Sequence, residues 1–141
     1  MLIACDIGGV VKEMINENVI PNSIETIKKL EKLGHIVIFV SKCKQNFRDI
    51  LKVWLVNNDL QNDVYFCNEY CEKNNICINQ KVDYMIDDKL QVFRDMPDVI
   101  KKIWLCSDYK KISGANKYQI DEVSKVITCN NWEEILEQII N

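Results

Sequence analysis

The sequence predicts an α/β fold, three layers deep, with a mainly parallel sheet between two helical layers. Short apolar runs alternate with segments of helical periodicity along the 141 residues, the pattern of strands joined by helical crossovers and covered on both faces. The length suits one domain with one sizeable core. The composition, 48% apolar and 28% charged, is that of an ordinary globular chain. No repeat, linker or low-complexity stretch interrupts it, so residues 1–141 read as a single domain.

Leu2–Asp6 reads as the first strand. Val10 to Ile20 holds two short apolar pieces around Asn16-Glu17-Asn18, the pattern of a small hairpin. Asn22 is placed to cap the next helix, with Glu25 completing a capping box. Ile24, Ile27, Leu30 and Leu33 line one face of that helix, and Gly34 ends it. Ile36–Val40, the longest β-branched run, is the second strand. Phe47, Ile50, Leu51, Trp54 and Leu55 recur at helical spacing.

Val64–Cys67 follows as a short strand, then a weaker helix over Glu72–Gln80. Tyr84–Ile86 is the next buried strand, and a helical stretch through Leu90 and Phe93 stops at Pro97. Ile103–Cys106 is another strand, Ser113-Gly114-Ala115-Asn116 a loop, and Val126–Thr128 a short extended segment. Trp132, Ile135, Leu136, Ile139 and Ile140 form the final helix, with Glu133 and Glu134 in its first turn. Trp54 and Trp132 fall on apolar helical faces and read as core, not as base-stacking platforms. Crossovers between parallel strands are right-handed.

Composition excludes several functions. A net charge of −3 creates no field that would draw nucleic acid or anionic lipid to the surface. The pairs Lys28-Lys29, Lys101-Lys102 and Lys110-Lys111 read as solvated faces. No apolar run approaches the roughly 20 residues that span a bilayer, and Leu2-Ile3-Ala4-Cys5 after Met1 lacks the basic start of a signal peptide. The seven cysteines are odd in number, and Cys67, Cys71 and Cys77 match no zinc-knuckle spacing. They read as buried reduced thiols, which points to the cytoplasm. His35, the one histidine, opens the second strand and reads as a surface residue, so Ser-His-Asp catalysis is not expected.

Ligands of parallel α/β sheets bind beyond the carboxyl ends of the strands. The first strand ends in Asp6, followed by Ile7-Gly8-Gly9; the second ends in Ser41-Lys42; Tyr84-Met85-Ile86 ends in Asp87-Asp88. Lys73 lies between the last two, near a helix start. Carboxylates from separate strands can share a hard cation such as Mg²⁺, and a carboxylate can attack phosphorus to split hydrolysis into two steps. A serine hydroxyl and a lysine ammonium hold phosphoryl oxygens, and glycines let backbone amides approach the phosphate. Each residue also has a plainer reading: Asp6 as a loop acid, Ser41 as a helix N-cap, Lys73 as a surface lysine with Lys81 as its rival, Asp87-Asp88 as a turn pair.

The order Asp, Ser, Lys, Asp-Asp resembles the four motifs of the haloacid dehalogenase (HAD) superfamily over nearly the whole chain. Cys5-Asp6-Ile7-Gly8-Gly9-Val10 is similar to motif one, Phe39-Val40-Ser41 to motif two, Lys73 to motif three and Met85-Ile86-Asp87-Asp88 to motif four. The resemblance implies a HAD-like, Rossmann-type core and a Mg²⁺-dependent phosphohydrolase that works through an aspartyl-phosphate on Asp6. It implies Ser41, Lys73 and Gly9 on phosphate, and Asp6, the Gly8 carbonyl, Asp87 and Asp88 on metal. Receiver domains use similar residues, but there the acidic pair closes the first strand.

Gly8 departs from the family pattern, which places a general acid/base Asp two positions after the nucleophile. Its absence predicts slow turnover or activated leaving groups. The other reading is a non-catalytic phosphate- or partner-binding protein of the same fold. About ten residues separate Val10 from Pro21 and about five separate Cys67 from Lys73, too few for a cap domain. The site is therefore expected to be open, which suits a bulky phosphorylated substrate, a partner chain acting as lid, or poor exclusion of water, and makes a homodimer worth testing.

Overall fold

The computed structural model describes residues 1–141. Its apolar runs form six strands: β1 (Leu2–Cys5), β2 (Ile36–Lys42), β3 (Val64–Cys67), β4 (Tyr84–Asp87), β5 (Lys101–Leu105) and β6 (Ile127–Cys129). All pair in parallel, in the order β3-β2-β1-β4-β5-β6. The central strands carry apolar residues on both faces because helices cover both. Ile3, Cys5, Val37 and Phe39 pack toward one layer; Ala4, Ile38 and Val40 pack toward the other.

The first layer comprises α1 (Ser23–Lys32), α2 (Arg48–Asn57) and α6 (Trp132–Ile140), through residues such as Ile27, Leu55 and Ile135. The second holds α3 (Tyr70–Gln80), a 3₁₀ turn over Leu90–Phe93, α4 (Tyr109–Tyr118) and the short α5 (Ile120–Val123), through Cys77, Phe93 and Ala115. The result is a three-layer, Rossmann-like α/β fold without a separate cap. The chain leaves β1 in one direction through β2 and β3, then returns to lay β4 on β1's other side. That reversal opens a crevice beyond the carboxyl ends of β1 and β4, where open parallel sheets bind ligands.

The segment after β1 is tightly tied. The Ile7 carbonyl accepts from the amides of Val10, Val11 and Lys12 at 3.2, 2.8 and 3.0 Å. The expected hairpin follows, with Glu13 N–H donating to Asn18 and Ile20 N–H to Val11. Trp132 Nε1 donates to the Val10 carbonyl at 2.8 Å, and Ser23 Oγ to the Val11 carbonyl at 3.0 Å. Trp54 Nε1 donates to Glu17 at 3.0 Å, fastening the hairpin to α2. Both tryptophans are core residues, as their helical spacing implies.

Several local expectations are corrected. Asn22 does not cap α1 through its side chain: its backbone is left-handed (φ 65°), and its amide reaches Glu133 of α6 instead. Ser113–Asn116 is not a loop but lies inside α4, because Asp108 caps that helix by accepting from Lys110 and Lys111 amides and Ala115 is buried against the sheet. Leu33, Phe47 and Ile50, expected on buried faces, are about half exposed or more. Lys102 is not on a solvated face; it is buried, and its ammonium donates to the carbonyls of Pro97 and Ile100, both at 2.9 Å. Cys71 is exposed and Cys43 half-buried, while the other five cysteines are buried.

Trp132→Phe keeps the ring's bulk but strands the Val10 carbonyl without its donor. The unfolding free energy is expected to fall by about 1–3 kcal/mol, measured by urea denaturation. An unchanged midpoint would remove this contact from the set that fixes the segment after β1.

Candidate active site

Strand pairing builds the site. Cys5 lies opposite Ile86, and Asp6 N–H donates to the Ile86 carbonyl at 3.0 Å. Asp6 and Asp87, the next residue of each strand, therefore stand side by side at the reversal point. Ser41 closes in from β2, whose register runs two residues past Val40. Asp88 follows β4 directly. Lys73 enters from α3, whose start is fixed by a reciprocal capping box between Glu69 and Glu72. Asp6, Ser41, Lys73 and Asp87 are all buried.

The Lys73 ammonium lies 2.8 Å from Asp87 Oδ2 and 3.3 Å from Asp6 Oδ1. Asp87 Oδ1 accepts from the Lys89 amide at 3.0 Å. Oxygens of Asp6, Asp87 and Asp88 lie within 4.8 Å of one another. Asp88 Oδ1 is inaccessible to water and has no hydrogen-bond partner, an arrangement that costs free energy unless something else satisfies it. Asp6 and Asp87 share the Lys73 ammonium, and Asp88 has only the more distant Lys89, at 3.7 Å. A divalent cation with oxygen ligands fits that donor set and would occupy the orphaned oxygen.

Burial drives the electrostatics. It pushes the Asp6 carboxyl up to about 6, with Lys73 opposing and Asp88 reinforcing the shift. Burial, then Asp6, raises Asp87 well above the usual carboxylate range despite its contact with Lys73. For Lys73 burial acts downward, but Asp87 and Asp6 outweigh it and hold the ammonium protonated. The Cys5 thiol, buried beside these acids, is pushed up and remains a neutral packing group.

The two glycines after Asp6 differ in kind. Gly9 has φ +81°, and a Cβ there would run into the Asp88 carboxylate, 2.8 Å from its Cγ. Only glycine leaves Asp88 in place. Its amide, expected at a phosphate, donates instead to the Lys12 carbonyl at 2.7 Å. Gly8 has no left-handed backbone to explain it; a Cβ there would meet only Met14 Sδ, at 3.1 Å. Its carbonyl accepts no backbone hydrogen bond.

Asp6, Gly8, Ser41, Lys73 and Asp88 line one cleft of about 710 Å³. Lys81 does not belong to it; it ends α3 in a left-handed, exposed position. His35 precedes β2, at the opposite edge of the sheet. The cleft also gathers residues that sequence reasoning missed. Lys89 directly follows Asp88, so reading one residue further would have found it; the sequence reading places Lys42 at the end of the second strand but gives it no role. Lys12, Lys44, Met14 and Tyr70 come from loops and a helix start, and no local pattern marks them. Lys42 Nζ stands 4.3 Å over the Tyr70 ring, a cation–π contact at the rim.

No protein-family model matches the sequence, and no curated protein sequence does. Solved structures do match. A D,D-heptose 1,7-bisphosphate phosphatase from B. bronchiseptica, complexed with magnesium and phosphate, superposes with a TM-score of 0.73 at 12% identity, covering 99% of this chain and 97% of that one. The Burkholderia thailandensis protein of the same description gives 0.71 at 12% identity, covering 99% and 98%. A cobalt-bound deoxy-D-mannose-octulosonate 8-phosphate phosphatase from Haemophilus influenzae gives 0.57 at 12% identity, covering 99% and 86%. The fold is the HAD-like fold of these phosphatases.

A carboxyl whose pKa is higher folded than unfolded stabilises the fold below its unfolded pKa, and that contribution is lost as pH rises through the folded value. For Asp6 the window runs from about 4 to about 6. In chelator, Asp6→Asn is expected to be more stable than wild type at pH 8, by up to about 3 kcal/mol, and to lose that advantage near pH 4. Thermal denaturation of both proteins at pH 4, 6 and 8 measures it; a difference independent of pH would contradict this account.

Proposed function

We propose that the protein is a Mg²⁺-dependent phosphohydrolase that acts on phosphate monoesters through an aspartyl-phosphate on Asp6. The observation that carries this reading is the cluster of Asp6, Asp87 and Asp88 around Lys73 at the sheet reversal, with Asp88 Oδ1 left unpartnered. Asp6, Asp87, Asp88 and the Gly8 carbonyl would hold the cation. The metal supplies positive charge that lets an anionic nucleophile approach an anionic phosphate.

The chain's own residues do the rest. One Asp6 oxygen attacks phosphorus, and the ester oxygen departs with the bonding electrons. Water then attacks the aspartyl-phosphate, releasing inorganic phosphate and restoring the carboxylate. Lys73 spends two of its three donors on Asp87 and Asp6, which aims the ammonium at the phosphoryl oxygens with one N–H to spare. Ser41 supplies a hydroxyl on the same side. Gly9 acts indirectly, by giving Asp88 room.

Gly8 favours a second reading, a non-catalytic phosphate- or partner-binding protein, because it offers no proton to a leaving group. A cleft without a cap suits a bulky phosphorylated substrate, or a second copy of the chain as its cover. No helix is long and apolar enough to cross a membrane, and seven free thiols suit the reducing cytoplasm.

Slow, Mg²⁺-dependent turnover of p-nitrophenyl phosphate, abolished in Asp6→Asn, is the expected result. No turnover by wild type, with inorganic phosphate still bound in calorimetry, would favour the second reading. Gly9→Ala is expected to weaken Mg²⁺ binding about 10–100-fold by displacing Asp88, read from Mg²⁺-dependent thermal stabilisation. Unaltered Mg²⁺ affinity would remove Asp88 from the metal ligands.

A further inference from the structure

The cleft carries an apolar strip as well as its charged residues. Gly8 stands where the resemblance places a proton donor, and Met14 covers it, its sulfur 3.1 Å from where a Cβ would sit. Phe47, Ile50, Leu51 and Trp54 line the same cleft. Met14, Phe47 and Ile50 are 58%, 50% and 60% exposed, so their apolar atoms are free to meet a bound group. The Trp54–Glu17 hydrogen bond ties the hairpin that carries Met14 to α2, which carries Ile50 and directly follows Phe47.

Of the four lysines besides Lys73 that line the cleft, three are engaged by other groups, and the fourth, Lys44, is exposed. Lys12 Nζ donates to the Glu13 carbonyl at 2.9 Å, Lys42 sits over Tyr70, and Lys89 pairs with Asp88 at 3.7 Å. An alkoxide leaving beside a thioether and a phenyl ring would have only solvent, and no acid side chain at position 8, to protonate it. A phenoxide needs that proton less: its charge is delocalised and its conjugate acid has a pKa near 10, as in tyrosine. A flat ring also packs well on a thioether and an aromatic edge.

Resting on the phosphohydrolase reading, we infer that the substrates are aryl phosphate monoesters, with the phosphate at Asp6 and the ring against Met14, Phe47 and Ile50. In the first step the Asp6 oxygen–phosphorus bond forms and the phosphorus–aryl oxygen bond breaks. The aryl oxygen takes the electron pair, leaves as phenoxide and is protonated by solvent. Water then cleaves the aspartyl-phosphate, so one ester and one water give one phenol and one inorganic phosphate. The missing acid and the apolar strip are thus two sides of one selectivity.

The test compares phenyl phosphate, ethyl phosphate and acetyl phosphate with Mg²⁺, in wild type, Gly8→Asp and Ile50→Ser. Acetyl phosphate has a leaving group that needs no proton and no ring to bind, so it reports the phosphoryl chemistry alone. Wild type is expected to prefer phenyl over ethyl phosphate in kcat/KM by more than about 10²-fold, the scale of general acid catalysis. In Gly8→Asp that preference should shrink at least tenfold, because ethyl phosphate gains most from a donor. Ile50→Ser, at an exposed position that does not hold the fold, should raise KM for phenyl phosphate about tenfold relative to acetyl phosphate. Equal turnover of ethyl and phenyl phosphate by wild type would overturn the inference while leaving the phosphohydrolase intact. Failure to hydrolyse any of the three, acetyl phosphate included, would overturn both.

Discussion

Lys73 sits between Asp87 and Asp6 with almost no access to water, and the arrangement is stable only as a set. A buried ammonium without partners would be very costly, and a buried carboxylate likewise. Here one cation answers two carboxylates while a third, Asp88, stands close by. The balance is incomplete on the negative side, which is why burial lifts Asp6 and Asp87 while Lys73 stays protonated. The fold holds acids together more tightly than their own charges favour, and a bound cation would relieve that repulsion. Stability given up at a site in this way is a common cost of function.

The sheet makes this juxtaposition possible. Strand order reverses between β1 and β4, so two strand ends far apart in sequence deliver their carboxylates to one point. Each is then held by backbone as well as charge: Asp6 by the Ile86 carbonyl, Asp87 by the Lys89 amide, Asp88 by the Trp104 indole N–H that donates to its carbonyl at 3.1 Å. Gly9 completes the set by what it lacks, since any side chain there would collide with Asp88. The neighbouring Gly8 has no such necessity; a Cβ there would meet only Met14 Sδ. A largely buried cluster of three carboxylates and Lys73 thus meets apolar residues in one cleft.

Much of this was legible in the sequence for identifiable reasons. Strands buried on both faces read as short apolar runs, so β1, β2, β3 and β4 stood out, and their polar successors Asp6, Ser41, Asp87 and Asp88 stood out with them. Helix ends were less legible where a tertiary partner competed for the capping group. Asn22 looks like an N-cap locally, but Glu133 takes its amide. Ser113–Asn116 looks like a loop because it contains glycine, but the Asp108 cap and the burial of Ala115 outweigh a helix penalty of roughly 1 kcal/mol. Lys102 looks like half of a solvated pair, yet two carbonyls near the start of β5 satisfy it inside.

By itself the sequence determined the alternation of elements and the polar residues that end the strands, because periodicity and strand termination are local properties of the chain. Tertiary structure decided which of those residues meet. It chose Lys73 over Lys81, because only Lys73 lies on the part of α3 that faces the carboxylates. It also brought Met14, Phe47 and Ile50 into the cleft, since a hairpin and a helix joined by one indole hydrogen bond line one cleft only after both pack on the sheet. Contacts between elements depend on strand order and packing, and no window of sequence contains them.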